Sequence, residues 1–176
     1  MADASIRVLI GEPEGHVRGV AQHVRSLQKL GYSVLYVTTD RPFQTLAADF
    51  RELGVDSDVI FFLDSISYVN GQQPPQRPVN AMFLQSPTML EMMAMRTEQL
   101  LGRVGERPFV VLDSLSALAV YNGIPPVQEF SHYLANRLRT NGVSGDFVIK
   151  DNQTGRDLVD KVSGFCDSHL RMSDEK

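Results

Sequence analysis

Short apolar runs of strand length recur along the chain and limit the folds that it can adopt. They lie at residues 6–10, 34–37, 59–63, 109–112 and 147–149. Runs of this length that are rich in Val, Ile and Phe indicate strands covered on both faces. Segments with helical spacing separate most of them, at residues 17–30, 43–53, 87–104 and 127–140. Alternating strands and helices predict an α/β fold, a three-layer sandwich with a mainly parallel central sheet.

Two element boundaries carry more specific expectations. Ser86 and Pro87 have the pattern of an N-cap followed by a proline in the first helical position, so we expect the third helix to begin there. The stretch VSGFCDSHLRM, residues 162–172, predicts a final strand after Gly164. That strand could lie antiparallel at an edge of the sheet.

Composition indicates an ordinary soluble domain. The 176 residues, with 43% apolar and 22% charged residues, suffice for one core, so we expect a single domain over residues 1–176. The net charge of −4, with both signs interspersed, indicates no nucleic-acid partner. Cys166 is the one cysteine and cannot form an internal disulfide. With no signal-peptide pattern at the N-terminus and no apolar run long enough to cross a bilayer, we expect a cytoplasmic protein without a membrane partner.

One segment interrupts the alternation of strands and helices. YVNGQQPPQRPVN, residues 68–80, contains three prolines and few apolar residues, and predicts an exposed, mobile loop. It directly follows the third predicted strand, so it should leave the sheet at the carboxyl edge, where open α/β folds bind ligands. A binding loop and a tolerated insertion are both open at this point.

The stretch VLIGEPEGHVRGV, residues 8–20, has the outline of a phosphate-binding loop. A working loop reads G-x-x-x-x-G-K-S/T, because backbone N–H groups surround the phosphates, the lysine neutralises their charge and the hydroxyl binds magnesium. When the pattern starts at Gly11, the second glycine, the lysine and the hydroxyl are replaced by His16, Val17 and Arg18. Three of the required groups are therefore missing.

Part of the loop chemistry remains. A sharp turn from a strand into a helix, with free N–H groups at the helix start, is still indicated by Gly11, Pro13 and Gly15. Glu12 and Glu14 add negative charge beside this turn, while Arg18 could supply a cation, about 100° further around the helix than the lysine. Three alternatives are open: a turn that binds no nucleotide, a nucleotide site with a substituted cation, and a site for a smaller anion at residues 11–15.

Three aspartates end predicted strands. Asp64 follows FFL, Asp113 follows VVL and Asp40 ends VLYVTTD. Because the carboxyl ends of parallel strands meet at one edge of the sheet, these carboxylates should lie on the same side as the glycine loop. Turn-forming residues of similar strands are the simpler interpretation of the Asp64 and Asp113 repeat.

The succession VLIGEPEG, GYSVLYVTTDRP, FRELGVD, FFLDSIS, RPFVVLDSLSALAVYN and FCDSHLRM resembles a RecA/KaiC-type ATPase domain, most closely the short KaiC-like ATPases abundant in archaea. The resemblance covers residues 6–172 and implies a RecA-like P-loop NTPase fold, with ATP or ADP and Mg as the ligands. It implies that Asp113 is the Walker B residue, which helps to hold Mg, and that Asp40 polarises the attacking water. For sensing the γ-phosphate it offers Lys150, Asp151 or Asn152.

Magnesium in such sites is held chiefly by the nucleotide phosphates and the loop hydroxyl, so without that loop chemistry Asp113 could simply cap a turn. We therefore expect a pseudo-ATPase, a non-catalytic domain with a regulatory or scaffolding role through protein contacts. The alternative is a divergent ATP-binding protein or ATPase in which Arg18 or a neighbouring subunit replaces the Walker lysine. A protein partner, an intact ATPase relative or a homo-oligomer would fit the first expectation.

Two further patterns concern helices. Four methionines in the third predicted helix favour core filling, although a second apolar face would indicate a partner subunit: Met89, Met92, Met93 and Met95. His16 and His23 are spaced to share a helix face, which leaves a metal site as a weaker alternative.

Overall fold

The computed structural model describes residues 3–172, which form a seven-stranded sheet covered by helices on both faces. The strands are β1 (Ile6–Gly11), β2 (Ser33–Thr38), β3 (Phe61–Asp64), β4 (Ala81–Phe83), β5 (Pro108–Asp113), β6 (Ser144–Lys150) and β7 (Ser168–Arg171). The helices are α1 (His16–Lys29), α2 (Phe43–Glu52), α3 (Leu90–Val104), α4 (Leu115–Asn122), α5 (Ile124–Thr140) and α6 (Gln153–Val162). Short 3-10 helices lie at Ser57–Val59 and Ser163–Phe165.

The strand order is β4-β3-β2-β5-β6-β1-β7, and all six neighbouring pairs are parallel. The predicted α/β sandwich with a mainly parallel sheet is confirmed. β6 lies between β1 and β5, so the loop after β1 and the aspartate that ends β5 are separated by one strand at the carboxyl edge. The register pairs Gly11 with Lys150 and Thr38 with Asp113 at that edge.

The core consists of two apolar clusters, one on each face of the sheet. In β2, Leu35 and Val37 pack with the layer of α3 to α6, whereas Val34 and Tyr36 pack with the layer of α1 and α2. All four side chains are buried, which is why the strand reads as a continuous apolar run. In the part of the chain that the structure describes, no helix has the length and apolarity to cross a bilayer.

The predicted final strand after Gly164 is present as β7 at an edge of the sheet, but the antiparallel direction considered for it is wrong. β7 lies parallel to β1, with Arg7 opposite Ser168. After β6 the chain crosses back through α6 to the end of the sheet where the strands begin, so β7 runs in the same direction as β6 and β1. α6 buries Leu158 and Val162 in the apolar cluster on its face of the sheet.

The start expected for the third helix is also wrong. α3 begins at Leu90 after an N-cap at Met89, and Ser86 instead accepts the N–H of Thr88 in the preceding turn. The fourth predicted helix, residues 127–140, is α5. It begins at Ile124, so Pro125 and Pro126 lie inside its first turn.

Candidate functional site

The glycine loop connects β1 to α1 at the carboxyl edge of the sheet. β1 ends at Gly11, and Gly15 is the N-cap of α1 with a φ of 72°, a left-handed conformation that favours glycine. No side chain of the described residues caps α1 by a hydrogen bond. The predicted turn from strand to helix is therefore present, with its N–H groups at the helix start.

His16, the first residue of α1, turns its side chain inward and contacts Asp113 at the end of β5. Its Nε2 lies 2.7 Å from Asp113 Oδ1, and both side chains are buried. An ionised carboxylate only accepts hydrogen bonds, so the imidazole donates through Nε2. The buried Nδ1 of His16 has no hydrogen-bond partner among the described residues. The imidazole thus joins the glycine loop to Asp113 at the end of β5, across β6.

The second oxygen of Asp113 is also engaged. Tyr36, on the neighbouring strand β2, donates its hydroxyl to Asp113 Oδ2 at 2.5 Å. Burial acts to raise the pKa of Asp113, but hydrogen bonds from His16 and Tyr36 and the charge of His16 outweigh it and lower the pKa. Burial, together with the negative charge of Asp113, raises the pKa of Tyr36 well above its usual value. The pair is therefore an ionised carboxylate and a protonated phenol.

Asp40 lies at the same edge but contacts a different group. Its carboxylate forms an ion pair with the ammonium group of Lys150, which ends β6. The structure thus brings together Asp40 and one of the three residues that resemble a γ-phosphate sensor. The charge of Lys150 also contributes to lowering the pKa of Asp113.

The other two sensor candidates lie at the start of α6. Asp151 accepts hydrogen bonds from Arg156 at 3.2 Å and from Arg171 at 3.0 Å, and these hydrogen bonds, Arg171 first, lower its pKa. Asn152 is the N-cap of α6 and accepts the N–H of Gly155 at 2.8 Å. Both side chains organise the turn from β6 into α6.

Asp64 resembles Asp113 in its sequence context, but among the described residues its carboxylate binds only nearby backbone N–H groups and one hydroxyl. It is fully buried and accepts N–H groups from Phe43, Ile66 and Ser67 at 2.7 to 2.8 Å, as well as the hydroxyl of Ser67 at 2.6 Å. Its carboxylate fixes the turn after β3 and the start of α2.

Arg18 lies in a hollow of about 360 Å³ beside the glycine loop. The hollow also contains Arg41, whose guanidinium is 3.0 Å from the carboxylate of Asp49. Pro13, Gly15, His16 and Val17 complete the wall on the loop side. Arg18 is exposed and lines this hollow, whose wall does not include Asp113.

His23 contacts a second buried carboxylate, which sequence reasoning did not identify. Asp146 on β6 is fully buried, with Arg7 Nε at 2.7 Å from one oxygen and His23 Nε2 at 2.5 Å from the other. The two histidines of α1 therefore bind different aspartates. Over residues 3–172, no group of three or more His, Cys, Asp or Glu side chains could hold a metal ion.

No family model matches the sequence, and no curated protein matches it either. Among solved structures, a KaiC-like protein from the hyperthermophilic archaeon Pyrococcus horikoshii OT3 matches 100% of this chain and 75% of its own, with a TM-score of 0.66 and 11% identity. An uncharacterised protein from Pyrococcus horikoshii, in complex with an unknown peptide, matches 97% of this chain and 78% of its own, with a TM-score of 0.71 and 14% identity. The chain therefore has the RecA-like three-layer α/β fold of KaiC-like proteins.

Proposed function

We propose that this RecA/KaiC-like domain does not hydrolyse ATP and has a regulatory or scaffolding role through contacts with other proteins. One observation carries the proposal: both carboxylate oxygens of Asp113 are occupied by His16 and Tyr36. In an ATPase of this fold the carboxylate acts through magnesium. Here it serves as a buried acceptor that joins α1, β2 and β5.

The residues of the loop do not fit a magnesium nucleotide. The imidazole of His16 fills the space between the helix start and Asp113, and Val17 is apolar. Glu12 and Glu14 are exposed and would repel a polyphosphate. A working site needs a cation and a magnesium-binding hydroxyl at the start of the helix, and Arg18, the exposed cation there, lines a hollow whose wall does not include Asp113.

Exposed apolar side chains support a role in protein contacts. Met95 of α3 and Tyr133 of α5 are 45% and 55% exposed, and Val120 of α4 is 78% exposed. A groove of about 920 Å³ between α3 and α5 is lined by Met89, Met92, Met95, Phe130 and Tyr133. Flexible methionines beside aromatic side chains suit a surface that a partner protein covers.

Several partners fit this surface. An intact ATPase relative, a second copy of this chain or an unrelated protein could each bury it. The Pyrococcus horikoshii structure with an unknown peptide is an example of a protein of this fold that holds a peptide. That example supports a binding role for this chain.

A second function, a divergent ATP-binding protein or ATPase, is favoured by one observation. Arg18 and Arg41 both line the hollow beside the loop, so two cations lie near the N–H groups of α1. In this alternative Arg18, or a residue from a neighbouring subunit, replaces the Walker lysine. The nucleotide would then bind without the Asp113 carboxylate unless His16 moved.

Hydrolysis of ATP with magnesium separates the two functions. We expect no turnover above the blank for the wild-type protein, and no change in Asp113→Ala beyond its loss of stability. Magnesium-dependent turnover that disappears in Asp113→Ala at a temperature where the variant is folded would refute the proposal. If the wild-type protein hydrolyses or binds the nucleotide, and if Arg18→Ala weakens that activity, the alternative function is established.

A further inference from the structure

A second pocket, of about 540 Å³, lies on the opposite side of α2 from the glycine loop. One wall is the face of α2 that carries Phe43, Ala47 and Arg51, and the other is the last part of the 68–80 loop. The hollow beside the glycine loop instead uses Asp49, Glu52 and Leu53, which point about 160° away around the helix. The two sites are therefore separate.

Two guanidinium groups line this pocket. Arg51 Nη2 lies 3.3 Å from Asp58 Oδ1, with side chains 64% and 83% exposed, and ion pairs that exposed are weak enough for a ligand to replace. Arg77 is exposed, and its guanidinium has no ion pair or hydrogen bond among the described residues. With Asp58 as the single carboxylate, the wall has a net positive charge.

The wall also contains a buried hydroxyl without a partner. Ser57 begins the 3-10 helix before β3, is 7% exposed, and its Oγ has no hydrogen-bond partner among the described residues. A buried hydroxyl that makes no hydrogen bond costs free energy. Rotation of this side chain toward the pocket would let a ligand with acceptor oxygens remove that cost.

Apolar side chains line one part of the pocket, beside the polar Gln44 and Asn80. Phe43, Ala47 and Ala48 of α2 face Pro75 and Val79 of the loop across it. The volume lies in the range of small-molecule sites, and the mainly polar lining suits a ligand with a charged group and a small apolar part.

We propose that this pocket binds a small phosphate monoester that carries a compact apolar group. The phosphate lies between Arg51 and Arg77. A phosphate dianion with three acceptor oxygens can bind two guanidinium groups at once, which a ligand with one carboxylate does less well. The apolar group lies against Ala47 and Val79. The 68–80 loop, which supplies Arg77, is then a binding loop rather than a tolerated insertion.

The test uses phenyl phosphate as the probe, with phenol and inorganic phosphate as comparisons, in calorimetric titrations of the whole chain. We expect saturable binding of phenyl phosphate, weaker binding of inorganic phosphate and none of phenol. Arg51→Gln and Arg77→Gln should each weaken the affinity by about tenfold or more. Arg103→Gln, at an exposed arginine of α3 in the other helical layer, is the matched control and should bind like the wild type.

Two further variants locate the site. Ser57→Ala should keep or raise the unfolding temperature without ligand, since it removes an unsatisfied hydroxyl, but should reduce the stabilisation by phenyl phosphate. Arg18→Gln should leave binding unchanged. No binding at millimolar phenyl phosphate, unchanged affinity in Arg77→Gln, or loss of binding in Arg18→Gln would each overturn the proposal. None of these outcomes depends on whether the chain hydrolyses ATP.

Discussion

Replacing Asp113 by alanine should destabilise the domain strongly if the carboxylate is a structural acceptor. The change removes two hydrogen bonds to a buried charge and leaves the Nε2 of His16 and the hydroxyl of Tyr36 without partners. Removing one member of a buried charged network of this kind costs about 3–5 kcal/mol. Asp113→Asn should cost less, because its amide oxygen can still accept one of the two hydrogen bonds and the side chain keeps its volume.

Urea denaturation at neutral pH measures this cost directly. With a slope of about 2 kcal/mol per molar urea, the midpoint of Asp113→Ala should fall by about 2 M. Asp160→Ala, at an exposed aspartate of α6, is the control and should stay within about 0.5 kcal/mol of the wild type. A midpoint of Asp113→Ala within the range of this control would refute the structural role of the carboxylate.

Two other predictions concern pH and packing. The raised pKa of Tyr36 means that the unfolded chain loses the phenol proton near pH 10 while the folded protein keeps it, so the unfolding free energy should fall above about pH 10. Tyr36→Phe should show less of this alkaline decline in urea titrations, and an unchanged decline would contradict the buried bond to Asp113. In Gly155→Ala the new Cβ would lie 1.8 Å from the backbone oxygen of Lys150, whereas in Gly11→Ala it would meet the mobile end of Met172 at 2.0 Å. Thermal unfolding should therefore show a loss for Gly155→Ala that exceeds the loss for Gly11→Ala by about 2 kcal/mol, and equal losses would contradict the packing at α6.

The fold was predictable where burial produces a continuous apolar run or a helical period. The runs at 34–37 and 109–112 identify β2 and β5 because both faces of these strands are covered. β4 was missed because its three residues are only half-buried and too few to show a period. α4 was missed because it is apolar all round: Leu115 and Leu118 are buried, yet Val120 is 78% exposed.

The candidate site was only partly predictable. Asp113 is identified from the sequence because it directly follows an apolar run. Its two hydrogen-bond partners cannot be identified in this way, because they depend on the order of the strands in the sheet. Tyr36 lies opposite Val111 in the β2–β5 pair, so it shares a face of the sheet with Asp113, two residues further along β5. In sequence this tyrosine reads as one more apolar strand residue. His16 reaches Asp113 across β6, a contact that no local pattern indicates.

Calorimetric titration of the wild-type protein with ATP and magnesium, and separately with ADP and magnesium, tests the central claim most directly. If His16 and Tyr36 occupy the Asp113 carboxylate in solution, millimolar nucleotide should give no binding heat that depends on magnesium and no rise in the unfolding temperature. Arg18→Ala should then behave like the wild type. Saturable, magnesium-dependent binding of ATP that Asp113→Asn abolishes would contradict the account, because it would require the carboxylate to act on the metal.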